Sequence, residues 1–218
     1  MASRALVEAI KKGDFPAVRN IFAADPASLV SREDSASPVL TALYYGQTEI
    51  AEFLAPRADL DIFEAAASGQ LQRLEELIAA DPDITRPSTD GWTPLHLAAF
   101  FGRTDAARRL IDAGADLKAI AGNSTANTPL HAAIAGRGEE ELVLRMLMAG
   151  ADATVATAEG YTPLHVAASR GNQRMCDLLI RYRAQPAAKM NDGKTAADIA
   201  AERGHSELSA YLRQLETA

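Results

Sequence analysis

The chain has 218 residues, a mass of 23.2 kDa and a formal charge of −7, with 48% hydrophobic, 23% charged and 6% aromatic side chains. No block of Lys or Arg exceeds a pair, which argues against a nucleic-acid partner, and no apolar run approaches the roughly 20 residues of a membrane span. Cys176 is the single cysteine, which excludes an internal disulfide.

Abundant alanine with few aromatics favours slim helices packed through small side chains over a sheet rich in Val, Ile and Phe. The N-terminal MASRALVEAIKKGD has Glu8 interrupting its apolar residues, so it reads as a capping helix and not as a secretion signal. These features lead to the expectation of a cytoplasmic protein. Shifting the chain by 56 places lays Glu8 on Glu64, Gly13 on Gly69 and Asp25-Pro26 on Asp81-Pro82. The same shift lays Ser37-Pro38 on Thr93-Pro94 and Gly46 on Gly102, so residues 1–60 read as a worn copy of two repeats. The second of these runs from LAPRADL straight into DIFEAAA and is too short for a projecting hairpin.

From residue 90 the period is plain. TPLH occurs at 93–96, 128–131 and 162–165, and a degenerate copy begins at Thr195. Each unit reads as helix, turn, helix and loop. Thr93 suits an N-cap and Pro94 the first helical position, while Gly102 ends the first helix in a left-handed turn. Thr104 to Ala113 reads as the second helix, closed by Gly114. The unit after it carries one extra residue near Gly136-Arg137-Gly138, which should lengthen the turn between its helices. In the next unit Arg183 takes the place that Gly114 and Gly150 hold elsewhere.

TPLHLA, TPLHAA and TPLHVA resemble the T-P-L-H-x-A pattern of ankyrin repeats, whose period is about 33 residues. The resemblance covers essentially the whole chain as a single domain, residues 1–218. Its units run over about 1–33, 34–60, 61–89, 90–122, 123–158, 159–190 and 191–218. It implies an all-α solenoid of about seven helix-turn-helix units with short β-turn or hairpin loops.

His96, His131 and His165 could be read as bases or metal ligands. Successive units stack about 10 Å apart, so the three imidazoles form a ladder and not a cluster. No zinc-ligand spacing occurs. In the ankyrin family this histidine bonds backbone groups at its own repeat junction, and that structural role is expected here. Cys176 is expected to be a small buried core residue.

The resemblance further implies a non-catalytic module that binds another protein through loop tips and the ends of the first helices, with no cofactor or metal and as a monomer. Carried over by position, the candidate contacts are Tyr44, Tyr45, Asp90, Trp92, Phe100, Phe101, Tyr161 and Arg170. Tyr45, Phe101 and Trp92 are expected to be at least partly exposed, and Tyr44 and Phe100 half-buried. Two rivals stay open: a ligand-binding or enzymatic pocket on the scaffold, and a structural or protective protein without a specific partner.

Overall fold

The computed structural model describes residues 2–30, 37–81, 83, 86–88 and 91–217. It divides into two compact units, 1–84 and 85–218. The first holds α1 (Ala2–Lys12), α2 (Phe15–Ala24), α3 (Pro38–Tyr44), α4 (Thr48–Leu54), α5 (Ile62–Ser68) and α6 (Leu71–Ala80). The second holds α7 (Pro94–Phe100), α8 (Thr104–Asp112), α9 (Pro129–Ala135), α10 (Glu140–Met148), α11 (Pro163–Ser169), α12 (Gln173–Arg181), α13 (Ala196–Glu202) and α14 (Ser206–Glu216). These form seven helix pairs, with no strand among the described residues.

Within each unit the first helices of successive pairs stack, α1 on α3 on α5 and α7 on α9 on α11 on α13. Each second helix packs on the first helix of its own pair. The alanines make this stacking possible. Ala65, Ala66 and Ala67, Ala98 and Ala99, Ala132 and Ala133, and Ala167 and Ala168 are fully buried, and any larger side chain there would force the stacked helices apart. Leu6, Ile10, Leu54, Leu74, Leu95, Leu110, Leu130, Leu142 and Leu164 fill the core between the layers. Each contributes about 2 kcal/mol of apolar burial.

Seven-residue helices are too short to stand alone, so their ends are fastened. Ser37 Oγ accepts the amide N–H of Leu40 at 3.1 Å, and Asp61 and Glu64 form a reciprocal capping box. Thr93, Thr128, Thr162 and Thr195 cap the later inner helices. Between the second and third pairs a short 3-10 turn, Ala55–Arg57, leads directly to the Asp61 cap, so no hairpin projects there.

The unit with the extra residue lengthens its turn as its spacing predicts. The Arg137 amide donates to the Phe100 carbonyl at 2.8 Å, and that of Gly138 to Ala133 O at 3.1 Å. The turn therefore bonds the end of α7, one repeat away. A Cβ on Gly136 would run into the Phe100 carbonyl, so glycine is required there. Arg183 holds φ +73°, the left-handed conformation that Gly114 and Gly150 adopt in sister units.

Candidate functional site

The TPLH histidines are buried and fully engaged. Nδ1 of His96, His131 and His165 lies 3.2, 3.3 and 3.2 Å from the threonine amide of its own motif. The threonine hydroxyls lie 2.8, 2.9 and 2.8 Å from the same nitrogens. A backbone amide can only donate, so Nδ1 is an unprotonated acceptor and the proton sits on Nε2. Nε2 donates to a carbonyl of the following repeat: Asn127 at 3.1 Å, Tyr161 at 3.1 Å and Lys194 at 3.3 Å. In the last copy Asp198 replaces histidine, and its Oδ2 accepts the Thr195 amide at 3.0 Å.

Those carbonyls belong to a series of tight hairpins. The amides of Ser88, Ala121, Thr157 and Met190 donate to the carbonyls of Trp92, Asn127, Tyr161 and Lys194. Neighbouring hairpins are tied together by Gly122 N–H to Gly91 O, Ala158 N–H to Thr125 O and Asn191 N–H to Glu159 O, each at 3.2 Å. The three histidines thus fasten a row of loops to the inner helices, as the resemblance implies.

Burial favours the neutral form of His131 and His165. Desolvation pulls the His131 pKa down to about 4 against a small opposing pull from the Tyr161 carbonyl, and it lowers His165 also. Cys176 is buried, and desolvation pushes its thiol up to about 12, which leaves it unreactive. Among the described residues no group of three His, Cys, Asp or Glu is arranged to hold a metal ion, and no helix is long and apolar enough to cross a membrane.

The candidate contact residues divide between the two units. In the first, Tyr44 and Tyr45 at the end of α3 are 44% and 53% exposed, and the Lys11 ammonium lies 5.9 Å from the Tyr45 ring centre. Tyr44 is thus more open than the half-buried position expected of it. It is the last residue of its helix and projects beyond the buried face of Val39, Ala42 and Leu43.

In the second unit Trp92 and Phe100 are half-buried and meet edge-to-face at 5.3 Å, with the Trp92 ring also 5.7 Å from His96. Phe101 corrects the expectation: it is only 6% exposed. Its ring packs edge-on against Phe100 at 5.2 Å, at the helix end onto which the Gly136-to-Gly138 turn docks. Tyr161 is half-buried against the His165 ring at 6.0 Å. Arg170 is exposed, but its Nη1 donates to the Ala135 carbonyl at 2.8 Å and so caps the end of α9. Asp90 lies outside the described residues.

Tyr161 also borders a recess of about 160 Å³ shared with Thr125, Asn127, His131, Ala135 and Val166. Asn127 Oδ1 is buried without a hydrogen-bond partner among the described residues. That volume suits one side chain of another molecule better than a small-molecule substrate, whose pockets run to about 300–1,000 Å³.

A family model described as ankyrin repeats (3 copies) matches residues 62–155 and 134–217. The chain is 28% identical to human ankyrin repeat and SOCS box protein 16 over 222 residues, covering 79% of this chain and 49% of that protein. It is 34% identical to human palmitoyltransferase ZDHHC13 over 110 residues, 50% of this chain and 17% of that one. It is 42% identical to the neurogenic locus Notch protein of Drosophila melanogaster over 113 residues, 50% of this chain and 4% of that one. The chain spans less than half the length of each of these relatives.

Proposed function

The chain belongs to the ankyrin-repeat family, and we propose that it is a non-catalytic module that binds a protein partner through the ends of its inner helices and its hairpin tips. One observation carries this reading. The polar groups that recur in the TPLH units are consumed internally, whereas the side chains that do not recur stand at helix ends, Tyr44 and Tyr45 most openly. Exposed tyrosines are enriched among interface hot spots, because they bury a large apolar area at little entropic cost. The relatives support the reading from another side. They bear unlike names, yet each matches over this repeat region, as expected of a portable binding surface.

The module acts as a monomer in a reducing cytoplasm, in keeping with its lone buried thiol. The test is affinity capture from native lysate with wild type and with Tyr44→Asp/Tyr45→Asp. Wild type should retain one dominant, saturable partner. The double variant should lose at least about tenfold in capture, with an unchanged helical circular dichroism spectrum. Undiminished capture by the folded variant would sink the assignment of this surface.

A further inference from the structure

The first unit holds an apolar groove on its second helices, away from the tyrosine-bearing helix end. Phe15 and Phe22 stand seven residues apart on α2, two turns along one face, and both meet Phe53 of α4 edge-to-face at 5.4 and 5.8 Å. The three rings are half-buried. With Pro16, Arg19, Asn20 and Ala23 they line an open groove of about 560 Å³. Stacking of the inner helices does not require this cluster, since α1 and α3 pack through Leu6, Ile10, Val39 and Ala42.

Two arginines mark the groove, and neither makes an ion pair among the described residues. Arg19 lines it. The Arg57 guanidinium lies over the Phe53 ring at 4.2 Å and is pinned by Nη1 donating to the Phe53 carbonyl at 2.6 Å, which leaves its other N–H groups open. Residues 1–84 carry 14 acidic side chains against 7 basic ones, of which Lys11 and Arg73 pair with carboxylates. Arg19 in the groove lining and Arg57 stacked on Phe53, neither with a carboxylate of its own, complement an occupant that brings one.

We propose that this α2–α4 groove docks a segment of another protein presenting an aromatic or aliphatic side chain with a carboxylate beside it. The apolar group packs on Phe15, Phe22 and Phe53, and the carboxylate accepts from Arg19 and Arg57. An open groove between two helices suits a peptide face, where a lone fatty acid chain would need enclosure. The acidic remainder of the unit repels a polyanion, so one well-placed carboxylate is the fit.

The test uses the full chain and a displayed library of random peptides, depleted first on the variant Arg19→Glu/Arg57→Glu so that only groove binders remain. Recovered sequences should share Phe, Leu or Trp next to Asp or Glu. A synthetic peptide of that consensus should lose at least about tenfold in affinity to the charge-reversed variant and to Ala23→Trp, which fills the groove from an exposed position. Its binding should persist in Tyr44→Asp/Tyr45→Asp, which separates this site from the tyrosine surface. Recovery of no peptide, a consensus without acidic residues, or affinity within about twofold in both groove variants overturns the proposal. Displacement of the anionic dye anilinonaphthalene sulfonate by decanoate, with no peptide recovered, would instead assign the groove to a lipid.

Discussion

The histidine of each TPLH motif accepts at one nitrogen and donates at the other, so only the neutral Nε2–H tautomer satisfies both partners. A second proton on Nδ1 would face the Thr128 amide N–H and break the junction. For His131, whose folded pKa is about 4 against 6.5 in the open chain, stability is complete above pH 6.5. Below that the unfolded chain binds a proton that the folded chain refuses. Stability should therefore fall by about 3 kcal/mol between pH 6.5 and about 4 from this residue alone, with His165 adding to it in the same direction. Urea unfolding across that range measures the slope, and nitrogen chemical shifts of the imidazole should report the Nε2–H form down to pH 5. A protonated ring in the folded protein at pH 6 would contradict the assignment.

Helix ends divide what the sequence could tell from what it could not. Caps were legible because they are local: a threonine, a proline and a polar residue three places on fix the starts of α7, α9 and α11 within one turn. The extra residue at Gly136 and the missing hairpin before Asp61 were likewise legible as departures from a period. Exposure at the C-terminal ends was not. Tyr44-Tyr45 and Phe100-Phe101 hold equivalent positions, yet one pair is open and Phe101 is buried, because burial there depends on the neighbouring repeat and its unusual turn. That docking makes a prediction: Gly136→Ala should cost about 2–3 kcal/mol in chemical unfolding, since its methyl meets backbone that cannot swing away. Loss below about 0.5 kcal/mol would mean the turn is free to shift. Arg183 offers the opposite case. Its left-handed backbone is strained for any residue with a Cβ, so Arg183→Gly should stabilise by about 1 kcal/mol, read as a higher urea midpoint at unchanged m.

Across the whole molecule the two compact units are chemically unlike. All four histidines lie in residues 85–218, whereas the surplus of acidic side chains lies in residues 1–84, whose caps at Ser37 and Asp61 need no imidazole. Acidification to pH 5 should therefore act first on the second unit. Hydrogen exchange should show protection falling in α9 and α11 while α1, α3 and α5 hold theirs; equal loss in both sets would remove His131 and His165 as the cause.

The bond from each imidazole to a carbonyl one repeat further on has a consequence for how such a chain can change length. The donor recognises only a position in the following hairpin, whether the residue there is asparagine, tyrosine or lysine. Excising residues 127–160, one full period, would leave His96 facing the Tyr161 carbonyl, a junction of the same kind in a shorter array. Whole-period insertions and deletions are thus invisible to the fastening, while a slip of a single residue is not. Ancestral gain or loss of copies could proceed without any accompanying repair.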